Sequence, residues 1–413
     1  MPATATPLPP QRKLCTDCGL SRTAAPKRCA QACQFIQPDY PRLEQSVHGR
    51  TRALSNDELF FGPHQAMWQA WMQPAQDQAQ WSGIATGLAQ ALLEADLVDA
   101  VIAVEASPHD RWAPKPVVIT KASQMARCRG MRMGYAPLLA EIEPALAAGH
   151  QRLAVIGIPC QIYPLRAIEA SLRETQGLRE LFVIGIPCSD NTSTEHFHQF
   201  LSLLSDRPEE IEYLEFRADY QVELRESGGR MRLIPFLNLP ISQLPEDFFP
   251  LTCRTCVDYT NVLSDITVGY MGGRGQQWLL VRNAQGQRML DLLRPHLSLQ
   301  PVSSAGQRGS AVRGFLANTQ RAAGGLPLRR TPAWLRPLIN WLMPRIGPRG
   351  LEFARARVEM KAIETVLHLQ RHVPARMAHM VPHHIWHITQ RYGLGAPPQT
   401  AFTPSPSSTP ESA

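Results

Sequence analysis

The apolar positions of this chain change period several times, and the changes mark out its elements. Ile84, Leu88, Ala91 and Leu92 recur at helical spacing, and an apolar run at 100–104 follows Asp99. Further apolar runs at 153–158 and 181–186 read as strands, with a helical pattern at 162–173 between them. That β-α-β order favours a parallel pair. From 211 the runs shorten. Those at 211–216, 221–225 and 231–234, with turns at Ala218-Asp219 and Gly228-Gly229, predict a β-meander. Strands at 266–270 and 278–281 flank Gly272-Gly273-Arg274-Gly275, and a Trp-bearing apolar stretch at 334–346 precedes a helical pattern at 351–369. The fold class expected is mixed α/β: a sheet containing parallel strands, helices against it, a β-meander insertion and loop-rich cysteine segments.

A chain of 413 residues has room for two or three domains and a sizeable core. Composition divides it into a Pro-rich flexible tail at 1–12, a cysteine segment at 13–80 and an α/β core with its meander at 81–300. A Gly, Ser and Arg-rich linker follows at 301–330, then a helical region at 331–395 and a Pro, Ser and Thr-rich disordered tail at 396–413. The first residues lack the apolar core of a signal peptide. The longest apolar candidate for a bilayer span, 83–106, is broken by Glu94, Asp96, Asp99 and Glu105. A cytoplasmic protein is expected.

The net charge of +7 is concentrated late, where Arg329, Arg330, Arg336, Arg345, Arg349, Arg355, Arg357 and Lys361 face only Glu352 and Glu359. A solvated basic helix explains this, and so does a surface that steers an acidic electron carrier or an anionic membrane face. No nucleic-acid-binding motif accompanies the charge.

Nine cysteines point to metal or redox chemistry, because stable disulfides are rare in the cytosol. The hexapeptide Val-Ile-Gly-Ile-Pro-Cys occurs at 155–160 and again at 183–188. In each copy a strand runs into Pro and then presents a cysteine. Parallel neighbours lie about 4.8 Å apart, so Cys160 and Cys188 can share a site. Cys253 and Cys256, spaced C-x-x-C, bring the ligand number to four. That suits a [4Fe–4S] cluster or tetrahedral zinc, with buried structural thiols as the third reading. Cys15, Cys18, Cys29 and Cys33 form a second set, open to cluster or zinc, and Cys128 is left as a buried thiol. The 272–275 glycines lie between two strands, the wrong context for a Rossmann phosphate loop. HExxH, G-x-S-x-G and P-loop motifs are absent from the sequence.

Eight ordered blocks carry a family resemblance. They are Cys-Thr-Asp-Cys-Gly-Leu at 15–20, Trp-Ser-Gly-Ile-Ala-Thr-Gly at 81–87, Cys-Arg-Gly at 128–130 and Gly-Ile-Pro-Cys-Gln at 157–161. The others are Pro-Cys-Ser-Asp-Asn at 187–191, Cys-Arg-Thr-Cys-Val-Asp-Tyr-Thr-Asn at 253–261, Asp-Ile-Thr-Val-Gly-Tyr-Met-Gly at 265–272 and Gly-Leu-Glu-Phe-Ala-Arg at 350–355. Over 15–373 the chain resembles the beta-subunit family of deazaflavin-dependent hydrogenases and dehydrogenases. It is most similar to the chlorophyll-pathway branch, with its ferredoxin-dependent 8-vinyl reductases of divinyl (proto)chlorophyllide and its 7-hydroxymethyl chlorophyll a reductases.

The resemblance implies FAD, two [4Fe–4S] clusters, ferredoxin as donor and a chlorophyll-type tetrapyrrole as substrate. It favours 8-vinyl reduction, with 7-hydroxymethyl reduction as the alternative. A zinc-stapled, non-catalytic scaffold is the alternative of another class. The related hydroxymethyl reductases continue their N-terminal motif as Cys-Gly-Leu-Cys, whereas Ser21 stands here, and Cys29 is the candidate replacement. FAD is expected against 81–87, with Ser82, Gly83 and Thr86 as contacts, and Gln161 and Asn191 beside flavin or substrate; helix capping is the competing role for the four that are not glycine. Asp190, Asp258, Tyr259, His109 or a water is the expected proton donor. The 334–346 stretch is an apolar slot, plain core or a membrane-surface contact. Oligomeric state is open.

Overall fold

The computed structural model describes residues 15–26, 28–217, 219–270, 276–322 and 332–396. The expected tail at 1–12, the expected C-terminal tail beyond residue 396, the 272–275 loop and residues 323–330 of the expected linker lie outside them.

The mixed α/β fold is present. Eight strands form one sheet in the order β11-β1-β10-β9-β5-β4-β2-β3. They are β1 (Ala66–Met72), β2 (Ala100–Ser107), β3 (Asp110–Ile119), β4 (Arg152–Gly157), β5 (Glu180–Gly185), β9 (Ile266–Gly269), β10 (Gln277–Val281) and β11 (Leu297–Pro301). β2, β4, β5 and β9 run parallel, and antiparallel strands extend the sheet on both sides. The hexapeptide repeat pairs with itself in register: Val155 opposes Val183, Ile156 opposes Ile184 and Gly157 opposes Gly185.

Alternation along β4 and β5 builds a core on each face of the sheet, as expected for strands buried on both sides. Leu153, Val155, Leu181 and Val183 point into one core, and Ala154, Phe182 and Ile184 into the other. The helices are α1 (Tyr40–His48), α2 (Ile84–Glu94), α3 (Pro159–Gln176), α4 (Thr194–Leu204), α5 (Ala284–Leu293), α6 (Gly309–Arg321), α7 (Arg336–Ile346) and α8 (Gly350–His372), besides several shorter turns. Leu43 of α1, Ile162 and Leu165 of α3, and Val358 and Ala362 of α8 fill the first core. Leu88 and Leu92 of α2 and Met289 and Leu290 of α5 fill the second.

The meander is a separate three-stranded antiparallel sheet of β6 (Ile211–Phe216), β7 (Gln221–Glu226) and β8 (Met231–Pro235). Its Leu214, Val222 and Leu224 share a core with Phe197 and Phe200 of α4 and Trp112 of β3.

Three segments depart from expectation. The 13–80 segment supplies β1 to the large sheet, and its Phe35, Leu43 and Phe61 enter the same core as α3 and α8. Within the expected linker, Gly309–Arg321 is a helix whose Val312, Phe315 and Leu316 pack on Ala356, Ile363 and Leu367 of α8. The 334–346 stretch is not core: no side chain of α7 is buried.

Candidate functional site

β4 and β5 both end at the repeat, and the chain then takes two different paths. Pro159 opens α3, putting Cys160 in the first turn of that helix. Pro187 instead leads Cys188 into a loop. Asn261 holds the two strand ends together: its amide donates to Gly157 O at 2.8 Å and Ile186 O at 3.3 Å. This close approach requires Gly185, where an added Cβ would lie 2.6 Å from Ser264 Cβ and 2.9 Å from Asn261 Cγ.

The C-x-x-C pair arrives on the short turn Leu251–Arg254. Cys253 Sγ accepts the Asn191 N–H at 3.2 Å, and Cys188 N–H bonds to Tyr259 O at 3.1 Å. Cys160, Cys188, Cys253 and Cys256 therefore lie within electrostatic reach of one another. Burial pushes Cys253 up to about 12 and Cys256 up to about 11, and raises Cys160 and Cys188 well above the ordinary thiol range. Such thiols ionise only beside compensating positive charge.

One face of α8 supplies positive charge. Lys361, buried to 1% exposure, places Nζ 2.8 Å from Asp190 Oδ1 and against Cys253 O. Arg357, one turn earlier, bonds Asp190 Oδ2 at 3.0 Å and Ser189 Oγ. Thr365, one turn later, bonds the carbonyls of Arg254 and Cys256, both at 3.4 Å. Arg355 pairs with Asp57 at 2.9 Å. Arg357 and Lys361 are thus turned inward onto the loops that carry Cys188 and Cys253, whereas Arg345 and Arg349 stay exposed.

The N-terminal thiols form the second group. Cys15, Cys18, Cys29 and Cys33 line one cavity of about 770 Å³ together with Ser21 and Cys160. Burial pushes Cys18 up to about 12 and Cys33 up to about 11, and the neighbouring thiols add to both shifts. Gly19, at φ +101°, seats the loop: an added Cβ would lie 2.5 Å from Pro137 O. Cys29 lies on the same cavity as the other three. Among the described residues, no three His, Cys, Asp or Glu side chains are arranged to hold a single metal ion.

Beside Cys188, at the carboxyl ends of the parallel strands, lies a cavity of about 300 Å³. Such edges are where open α/β sheets bind ligands, and the volume suits a small-molecule site. Trp81 and Tyr270 meet at its wall with ring centroids 5.9 Å apart. Arg129 and Arg132 border it with buried Nε–H groups that have no partner, and Tyr259 and Asn261 nearby leave the Tyr259 hydroxyl and Asn261 Oδ1 unpaired.

The expected site residues divide between two roles. Asp190, Asn191, Gln161 and Thr86 line this cavity. Gln161 also caps α3, accepting from Ile158 N at 3.1 Å, and Asn191 ties the Cys188 loop to Gly134 at 2.7 Å. Thr86 bonds Gln76 at 2.7 Å. Ser82 is fully buried and joins β1 to β10 through Met72 N and Gln277 Oε1, and Gly83 is the N-cap of α2. Asp258 is turned away and accepts the Val262 N–H at 3.1 Å. His109 is exposed on the β2–β3 turn. Cys128, expected as a plain buried thiol, lines the cavity. Arg129, Arg132, Arg357 and Lys361 are the functional candidates that sequence reasoning missed; of these, only the Cys-Arg-Gly block carried a signal.

Comparison with known proteins follows the same outline. Residues 67–143 match the model of the coenzyme F420 hydrogenase/dehydrogenase beta subunit N-terminus, and residues 150–304 that of its C-terminus. The chain belongs to this beta-subunit family. An uncharacterized Nostoc protein is 37% identical over 93% of this chain and 95% of its own length. The chloroplastic 7-hydroxymethyl chlorophyll a reductase of Oryza sativa is 34% identical over 88% of this chain and 79% of its own. These relationships set the chain in the chlorophyll-pathway branch of a family of oxidoreductases. A chain of the F420-reducing [NiFe] hydrogenase complex of Methanosarcina barkeri shares the fold, with a TM-score of 0.55 at 19% identity over 74% of this chain and 92% of that one. Among the described residues, no helix is long and apolar enough to cross a membrane.

Proposed function

We propose that this chain is a ferredoxin-dependent iron–sulfur flavoprotein that reduces the 8-vinyl group of divinyl chlorophyllide or protochlorophyllide to ethyl. The observation that carries the reading is a group of four thiols, Cys253 buried and Cys160, Cys188 and Cys256 half-buried, backed by Lys361 and Arg357, beside a cavity at the carboxyl edge of the sheet. A second group of four thiols lies within reach of Cys160.

The residues fit the groups this reading requires. Cys160, Cys188, Cys253 and Cys256 would hold one [4Fe–4S] cluster, and Cys15, Cys18, Cys29 and Cys33 the other, with Cys29 taking the part vacated at Ser21. Each set supplies the four thiols that a [4Fe–4S] cluster takes. The unpaired Nε–H groups of Arg129 and Arg132 suit the anionic part of FAD, and Trp81 and Tyr270 offer flat apolar surface to a planar ligand. Bound there, the clusters would carry single electrons and FAD would pair them for a two-electron, two-proton reduction.

The chain's own groups do the rest. Lys361 and Arg357 offset the charge of ionised thiols, and Asp190 anchors both cations. With Asp190 so engaged and Asp258 turned away, the reading assigns proton delivery to water in the cavity. Action at the surface of a photosynthetic membrane is part of the proposal.

The Oryza relative's name favours a second reading, reduction of a 7-hydroxymethyl group to methyl with release of water. Protein purified without oxygen and supplied with reduced ferredoxin separates the two. Conversion of divinyl to monovinyl chlorophyllide is expected. Turnover of the hydroxymethyl pigment alone would select the second reading, and a colourless, flavin-free zinc protein would sink both.

A further inference from the structure

We infer that α7 and the turn before it form a docking face for an anionic lipid surface. Trp334, Leu338, Trp341 and Ile346 are 79%, 57%, 59% and 54% exposed, an unusual density of large apolar side chains in water. Within α7, Leu338, Trp341 and Arg345 recur at helical spacing and so share one face, and Trp334 is exposed on the turn before it. The Arg345 guanidinium lies over the Trp341 ring, 4.1 Å from its centroid. Arg345 and Arg349 are exposed, and the sequence has no acidic residue from 332 to 349.

The segment is held to the body of the protein by polar contacts that leave this face free. Asn340 bonds Asn238 at 3.2 Å, and the Tyr220 hydroxyl donates to Pro348 O. The helix is about 16 Å long, too short to span a bilayer but suited to lying on one.

Charge chooses the occupant. A second copy docking through the same face would bring Arg345 and Arg349 towards their own counterparts, and like charges oppose such pairing. Outward tryptophans beside arginines match the interfacial zone of a bilayer, where the rings sit at headgroup depth and the cations meet anionic lipid. The inference stands on this face alone and does not depend on which pigment the protein reduces.

The test is flotation of the full chain with vesicles of phosphatidylcholine, with and without phosphatidylglycerol. Binding is expected only to the mixed vesicles and should weaken as salt rises. Arg345→Gln and Arg349→Gln should each reduce partitioning about fivefold. The Trp334→Ser, Trp341→Ser double variant should reduce it about tenfold or more. All four positions are exposed, so unfolding midpoints should match the parent and show that the fold is intact. Three results would overturn the inference. One is equal binding to pure phosphatidylcholine with no effect of the arginine changes. Another is no lipid binding together with a concentration-dependent dimer that the tryptophan changes abolish. The third is no lipid binding together with a salt-sensitive complex with ferredoxin lost in the same variants.

Discussion

Lys361 Nζ donates to Asp190 Oδ1 at 2.8 Å, joining the C-terminal helix to the loop that carries Cys188. The lysine is fully buried and also bonds Glu364 at 3.1 Å. Removing one member of a buried pair leaves the other uncompensated, typically costing about 3–5 kcal/mol. Lys361→Met leaves Asp190 with Arg357 as its remaining cation, so it should destabilise the chain by the low end of that range, about 3 kcal/mol, in denaturant unfolding and release iron. Asp190→Asn should show the same loss of iron without moving the pH-rate profile. A shifted profile with full iron content would instead make Asp190 the proton donor.

Asn261 is held at φ +57° and bonds the ends of both repeat strands. Asn261→Gly keeps the backbone and loses the bonds, for about 1–3 kcal/mol. Asn261→Ala adds left-handed strain of about 1–2 kcal/mol. Urea midpoints should fall in the order Asn, Gly, Ala. Equal midpoints for all three would mean that the clamp carries no load.

Cys160 borders the N-terminal thiol cavity as well as belonging to the core group. Cys160→Ala should lower iron content by one cluster and perturb the spectrum of the survivor, whereas Cys253→Ala should remove one cluster and leave the other's signal unchanged. Low-temperature electron paramagnetic resonance of the reduced protein distinguishes these outcomes. Unchanged iron in both variants would contradict the ligand grouping.

Burial holds His48 down to about 3 from its ordinary 6.5. The ring bonds Val262 O at 2.8 Å and is neutral at working pH. Because the unfolded chain takes up the proton first, the stability it contributes is complete above pH 6.5 and is lost as pH falls towards 3. The slope can reach about 1.4 kcal/mol per pH unit. His48→Gln should flatten the acid limb of the stability curve. An unchanged limb would assign it to other groups, the buried His384 first among them.

The parts of the fold that were legible are those in which one local pattern decides the outcome. β4 and β5 have unbroken apolar runs, and their partners are copies of one another. β3 was missed because Pro114 and Pro116 argue against a strand; it lies at the sheet edge, where a missing N–H does no harm. Gly309–Arg321 was hidden by its glycines and arginines, although Val312, Phe315, Leu316 and Thr319 keep helical spacing. The inward turn of Arg357 and Lys361 was not readable at all. Their partner Asp190 lies far away in sequence, and nothing local tells a buried lysine from a solvated one.

The in-register repeat makes strand pairing a checkpoint for the whole site. A slip of one residue between β4 and β5 would reverse which face each side chain serves and, in the same movement, carry Cys160 out of step with Cys188. A mispaired chain would lose its two cores and its thiol group together. Completion of the four-thiol set then waits on correct pairing, and a mispaired chain is left at this site with the local Cys253 and Cys256 pair alone.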